Sequence, residues 1–350
     1  SHSVALDVDG DVWAWGLGTG GQIGDGAESS RRTPRRTSLP FTGRAVSIAA
    51  GPLQSYAIDA AGTAWAWGEN ELGLLGTGSP RSATEPRKMA FPPGVALERI
   101  DVGERHGLAL DRTGVVWGWG DNNFGQLGTG APRFTRTPVR VRVPGGPITA
   151  VAAGGQHSIA LDSYGDLWVW GSGTSGQLGL GDTGVRGAPT RLNLPLGRRA
   201  IFIEAAAATS YAIDASGDVW AWGRGSNGEI GNGTQGASLA PTRVSTPSGA
   251  RFDRVRARTT FAIAADTSGR AWAWGDGSFG QLGTGDASTR ATPTAVRASG
   301  ARFDAIAVGD RHAVGVDQSG AVWTWGYGRE GQLGNGASTS RYEPEQISFE

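Results

Sequence analysis

Ala152-Ala-Gly-Gly-Gln-His157-Ser-Ile-Ala-Leu-Asp162-Ser-Tyr-Gly165-Asp-Leu-Trp168-Val-Trp170-Gly-Ser-Gly-Thr-Ser-Gly176-Gln-Leu-Gly179 contains, in one copy, the unit from which the whole chain is built. Its Asp162-x-x-Gly165 is type I turn chemistry, with Asp bonding the turn backbone and Gly accepting the exit geometry. The flanking segments, His157 to Leu161 and Asp166 to Trp170, alternate and are rich in β-branched and aromatic residues, as the two arms of a hairpin should be. Strand alternation puts Trp168 and Trp170 on one face and Val169 on the other.

Outward from that stretch the pattern recurs. Trp-x-Trp-Gly begins at Trp13, Trp65, Trp117, Trp168, Trp220, Trp272 and Trp323, and these seven pairs use all 14 tryptophans. An Asp-x-x-Gly turn precedes each pair, from Asp7 to Asp317, and a glycine-dense loop follows it. A Pro-led strand (Pro34, Pro86, Pro138, Pro189, Pro241, Pro293, Pro344) and an apolar strand such as Ser47 to Gly51 complete the unit. The residue between the tryptophans is Ala or Gly in five copies, so indoles of one sheet can pack on the small-residue face of the next. Four strands in each of seven repeats predict an all-β, seven-bladed β-propeller with antiparallel blades of about 52 residues per repeat, one domain over 1–350. The apolar strand equivalent to Ile306–Gly309 appears six times, so the closing blade is expected to be one strand short within this chain.

Composition narrows the function classes. Net charge is zero and pI is near neutral, giving no global field for a nucleic-acid backbone or an anionic membrane. No apolar run reaches membrane-spanning length, and no cysteine supplies a disulfide, a thiolate nucleophile or a metal ligand. The reading is therefore a soluble, monomeric propeller with no nucleic acid and no membrane span. Lys88 is the one lysine among 32 basic residues, the bias of a GC-rich genome, which points to a bacterial source; the location expected alongside it is extracytoplasmic. Ser1 is not an initiator Met and falls inside a repeat, as in a processed or trimmed product.

Several motifs invite a chemical reading. Gly16-x-Gly18-x-x-Gly21 satisfies the dinucleotide fingerprint, and so do stretches from Gly171, Gly223, Gly275 and Gly326; recurrence at one place in an all-β repeat marks them as loop glycines, and no cofactor is expected. The seven turn aspartates read as architecture. All four histidines, His2, His106, His157 and His312, occupy one repeat position, where the other blades are read as placing Gln54, Thr209 and Thr259. A polar residue at every copy predicts a structural hydrogen bond at the head of the inner hairpin, with no metal site.

The two residues before that slot vary instead: Pro52-Leu53, Glu104-Arg105, Gly155-Gln156, Ala207-Ala208, Ala257-Arg258 and Asp310-Arg311. They lie in loops that should crowd one end of the axis. A partner-binding ring of Leu53, Gln54, Glu104, Arg105, His106, Gln156, His157, Arg258, Asp310, Arg311 and His312 follows. Two acid-free basic runs, Arg31, Arg32, Arg35 and Arg36, then Arg133, Arg136, Arg140 and Arg142, lie on outer strands, and the first is expected to form a secondary contact.

On Ala152 to Leu161, Gly165 to Gly171 and Gly176 to Gly179, the chain resembles the regulator of chromosome condensation repeat family along its whole length. That resemblance implies a seven-bladed propeller whose relatives include a GTPase exchange factor, a UV-B photoreceptor, a β-lactamase inhibitor and ubiquitin-ligase domains. The photoreceptor's chromophore would need tryptophans in the variable ring, which this chain lacks, and no exchange wedge loop is identifiable. The function expected is a non-enzymatic module recognising a protein or peptide at one end of the axis, with no catalytic residues. The alternatives are an enzyme or ligand-binding propeller using Glu104, His106, His157 and His312, and a guanine-nucleotide exchange factor.

Overall fold

In the computed structural model, residues 2–40, 43–130 and 132–349 are described, so Ser1 lies outside them. Blade 1 comprises β1 (His2–Leu6), β2 (Val12–Gly16) and β3 (Arg31–Arg36), and blade 2 comprises β4 (Ala45–Ala50), β5 (Gln54–Asp59), β6 (Ala64–Gly68) and β7 (Ala83–Lys88). Blade 3 is β8 (Leu97–Val102), β9 (His106–Asp111), β10 (Val116–Asp121) and β11 (Phe134–Val141), and blade 4 is β12 (Ile148–Ala153), β13 (His157–Asp162), β14 (Leu167–Gly171) and β15 (Arg186–Leu192). Blade 5 follows with β16 (Ala200–Ala205), β17 (Thr209–Asp214), β18 (Val219–Gly223) and β19 (Ser238–Arg243). Blade 6 is β20 (Phe252–Arg258), β21 (Phe261–Asp266), β22 (Ala271–Gly275) and β23 (Arg290–Ala295), and blade 7 is β24 (Phe303–Val308), β25 (His312–Asp317), β26 (Val322–Gly326) and β27 (Arg341–Ile347).

Every blade is an antiparallel meander in chain order, six with four strands and blade 1 with three, as the repeat count predicts. The first strand of each four-stranded blade lines the axis. Among the described residues blade 1 has no such strand, and β1 itself borders the channel there.

The two tryptophans of each pair do different jobs, which alternation alone did not reveal. The second indole is fully buried in all seven blades: Trp15, Trp67, Trp119, Trp170, Trp222, Trp274 and Trp325. Each donates its Nε1–H to a loop carbonyl of the preceding blade, as Trp170 does to Gln126 (2.8 Å) and Trp222 to Gln177 (2.9 Å). Trp222 shares an apolar cluster with Val169, the small-face residue of blade 4. Gly179 closes the loop beneath it with φ of 71°, and a Cβ there would sit 2.8 Å from the Trp222 ring.

The first indole stays mostly at the half-buried rim and bonds within its own blade, Trp13 to Asp7 Oδ2 at 2.8 Å and Trp323 to Asp317 Oδ2 at 2.8 Å. The same carboxylates accept turn amides through Oδ1, as Asp317 does from Ser319 and Ala321. One residue therefore fixes both the turn and the adjacent indole. For Asp317 these bonds, led by those from the Ser319 hydroxyl and Trp323, lower its pKa to about 2.

Ring closure uses side chains. Trp15 donates to Gln332 O (2.9 Å), and Phe349 meets Trp13 and Trp15 edge-on at 5.7 Å, as Phe91 meets Trp117. No strand pairing joins blade 7 to blade 1 among the described residues.

Candidate functional site

The histidine slot lies where the second strand of each four-stranded blade, and β1 of blade 1, begins, paired with the Gly that follows the tryptophans: His2 with Gly16, His106 with Gly120, His157 with Gly171, His312 with Gly326. In blade 6 this register selects Phe261, paired with Gly275, and not Thr259. The expectation of a polar residue in every copy is therefore corrected. Thr259 and Thr260 therefore take the variable positions of blade 6, and Arg258 lies two places further inward than expected.

The structural bond predicted for the histidines is present, and it runs between blades. Nε2 of His2, His106, His157 and His312 lies 2.7–2.8 Å from the hydroxyl of Ser55, Ser158, Ser210 and Ser3 in the following blade. Each serine hydroxyl donates to a loop carbonyl of the histidine's blade, for example Ser158 to Gln126 O at 2.8 Å. The serine proton being so committed, Nε2 carries the hydrogen and donates. Nδ1 of all four rings is buried with no hydrogen-bond partner among the described residues. Burial holds the pKa of His2, His106 and His157 down at about 3 and that of His312 at about 4, so the rings are neutral. In the blades after Gln54, Thr209 and Phe261 the serine's position is held by Gly107, Ala262 and Ala313, so every histidine has its serine and no other slot residue does.

These geometries divide the expected ring. Gln54, His106, His157 and His312 are buried and occupied. Glu104, Arg105 and Arg311 are exposed and Leu53, Gln156 and Asp310 half-buried; of these, Glu104 and Asp310 line the axial channel. Arg105 pairs with Asp121 at 3.5 Å. Arg311 stacks 4.6 Å above the Phe279 ring and 6.0 Å from Tyr327, and those rings meet edge-on at 5.4 Å.

Arg258 departs most from its expected place. It occupies the position held by Gly51, Gly103, Gly154, Ala206 and Gly309 in other blades, where inner strands approach so closely that a Cβ on Gly103 would lie 1.9 Å from Gly154 O. Its side chain crosses the channel mouth, from Asp310 (3.3 Å) to Ala50 O of blade 2 (3.2 Å). Burial raises the Asp310 pKa, but the Arg258 charge and hydrogen bond together with the other nearby positive charge outweigh it, and the net shift is downward. Arg258 thus belongs to the inside of the ring.

Below it the axis encloses a cavity of about 350 Å³ lined by the inner strands and β1. Asp101, Glu204 and Arg256 face it from one repeat position, where the other inner strands carry Ala49, Ala152 and Ala307. Asp101 accepts the Ala153 amide at 2.6 Å, and Glu204 accepts the Ala257 amide at 3.2 Å and pairs with Arg256 at 3.1 Å. Burial raises the Asp101 pKa and lifts that of Glu204 to about 7, against the pull of Arg256. These charges were legible as departures from alanine at a fixed repeat offset. Phe279 and Tyr327 carried no such signal, since only the fold brings them to Arg311. Among the described residues no cluster of metal-ligating side chains occurs, and no helix is long and apolar enough to cross a membrane.

On β3, Arg31 pairs with Asp25 at 2.5 Å and Arg36 with Asp11, which leaves Arg32 and Arg35 exposed. The expected secondary contact of four arginines is thereby halved in free charge.

Comparison with known proteins agrees with this geometry. The model of the RCC1-like domain matches residues 1–257, and that of the regulator of chromosome condensation (RCC1) repeat matches 268–316 and 319–350. The ultraviolet-B receptor UVR8 of Arabidopsis thaliana is 31% identical over 99% of this chain and 80% of its own length. The human E3 ubiquitin-protein ligase HERC2 is 30% identical over 96% of this chain, which spans only 7% of the ligase. Among solved structures, human WBSCR16 superposes with a TM-score of 0.87 at 21% identity, covering 97% of this chain and 94% of that one. Yeast Prp20p superposes at 0.87 and 23%, covering 99% and 87%. These relatives are plant, mammalian and yeast, so the expected bacterial source finds no support in them. By repeat, blade geometry and sequence, the chain belongs to the RCC1-like family of β-propellers.

Proposed function

We propose that the chain is a non-enzymatic recognition module that grips a protein partner through the loops around one end of the propeller axis. The observation that carries this reading is the contrast at that end. A scaffold constant from blade to blade finishes in side chains that differ in each: Glu104, Arg105, Gln156 and Arg311. Arg311, spread over Phe279 and Tyr327, is an exposed cation held by aromatic rings, the composition found at energetic centres of protein interfaces. A catalytic role for the histidines gains no support, because their Nε2 atoms are spent on interblade serines.

The test is quantitative affinity capture with wild type against Arg105→Ala/Arg311→Ala, followed by titration of each purified interactor. At least one partner should lose about tenfold or more in affinity, as expected for an interfacial anchor. If every partner binds both forms equally, the axial reading fails. Arg258 is left intact because its loss would disturb the ring itself.

A further inference from the structure

Outer strands and β-turns are stapled together by a repeated ion pair. Opposite the first tryptophan of blades 1, 4 and 5 stand Arg36, Arg191 and Arg243. Each meets an Asp two residues before that tryptophan: Arg36 with Asp11, Arg191 with Asp166 at 2.7 Å, and Arg243 with Asp218 at 2.6 Å. Blades 6 and 7 have dispensed with both halves, carrying Ala295 with Arg270 and Gln346 with Ala321.

Blades 2 and 3 have kept the base and lost the acid. Lys88 stands opposite Trp65 with Thr63 in the acid's place, and Arg140 stands opposite Trp117 with Val115 there. Both cations are exposed, and neither has a carboxylate partner among the described residues. Arg87, Arg136 and Arg142 are exposed beside them, and between Asp121 and Asp162 the chain holds no acid. The two rims are contiguous: the Gly78 amide of blade 2 donates to Arg136 O of blade 3 at 2.9 Å, and a Cβ on Gly78 would touch both Ala90 and Thr137.

We infer that the outer rim of blades 2 and 3 is a second contact surface, independent of the axial one, that binds an acidic polypeptide segment. Its carboxylates take the places that Asp11, Asp166 and Asp218 fill in the sister blades. Those blades display the ligand chemistry directly: at this position the guanidinium fork receives a carboxylate, the geometry arginine favours. With net charge zero, the attraction is local and screened within about 10 Å at ordinary salt.

Restoring the missing acids tests this without removing a single base. Fluorescence anisotropy at low salt would compare a labelled Asp/Glu-rich peptide, its serine-substituted counterpart and a single-stranded oligonucleotide of matched charge. The acidic peptide should bind wild type in a salt-sensitive way and the serine peptide should not. Thr63→Asp/Val115→Asp should weaken binding about tenfold. Ala321→Asp, which adds the same charge in blade 7, should leave it unchanged, with circular dichroism checking that each variant is folded. Absence of peptide binding, equal weakening by Ala321→Asp, indifference to the double variant, or tighter binding of the oligonucleotide would each overturn the inference. Since Arg105 and Arg311 are untouched, failure here leaves the axial reading standing.

Discussion

An imidazole at the blade interface has one bonded nitrogen and one bare one, and its stability depends on a hydroxyl from the next blade. His106 donates from Nε2 to Ser158 Oγ at 2.8 Å, within a site closed to solvent. Removing only the hydroxyl strands a buried donor, so Ser158→Ala should cost about 1–3 kcal/mol. Blades 6 and 7 show the apolar solution, Phe261 against Ala313. The double variant His106→Phe/Ser158→Ala should therefore cost clearly less than the sum of its singles, with a coupling of about 1 kcal/mol or more in a urea-denaturation cycle. Strict additivity would show that the pair does not interact. Three of the pairs stand 52 or 53 residues apart in the sequence and His312 with Ser3 309 apart, but nothing in one strand tells that its partner sits on the following blade.

Within a blade, the hairpin arms turn period-two alternation into interblade packing. Trp168 and Trp170 share a face, yet Trp170 is fully buried and bonded to blade 3 while Trp168 is half-buried against its own turn. Trp170→Ala should cost about 3–5 kcal/mol or more, because the cavity opens between two sheets that cannot close over it. Trp168→Ala should cost clearly less in the same thermal or urea assay, and equal losses would refute the division of labour. The distinction was invisible to alternation because it depends on what each end of the strand meets: Trp170 lies against the Gln126 carbonyl of blade 3, Trp168 against Asp162 of its own turn.

Across the whole molecule, buried neutral histidines make stability fall in acid. Unfolded histidine titrates near 6.5, while His2, His106, His157 and His312 are held at about 3 to 4 when folded. Between those values the unfolded chain binds more protons, so stability is full above pH 6.5 and is lost as pH falls toward 4. Each ring adds a slope approaching about 1.4 kcal/mol per pH unit. Glu204 acts in the opposite sense. Its folded pKa of about 7 exceeds the ordinary carboxylate value, so ionisation costs stability as pH rises from about 4.5 through 7. Calorimetric melting temperatures should drop steeply between pH 6.5 and 4, and His106→Gln should flatten that limb. A flat acid limb in wild type would contradict the buried neutral state.

The fold class, the blade number and the three-stranded closing blade were all readable from the chain, because each repeats a local rule: a turn aspartate, an alternating tryptophan pair, a proline-led edge strand. Those rules act over a few residues and need no knowledge of neighbours. The candidate site was legible only in part. Glu104, Arg105 and Arg311 proved exposed as expected, whereas Arg258 folded inward and the slot of blade 6 passed to Phe261, one repeat period after Thr209, because an apolar side chain at that place hid it from a search for polar residues. Which histidine meets which serine, which arginine keeps its aspartate, and which charges share the axis were decided by the closing of the ring. That closure brings together groups one to three blades apart, and their energies depend on burial and distance that no single strand encodes.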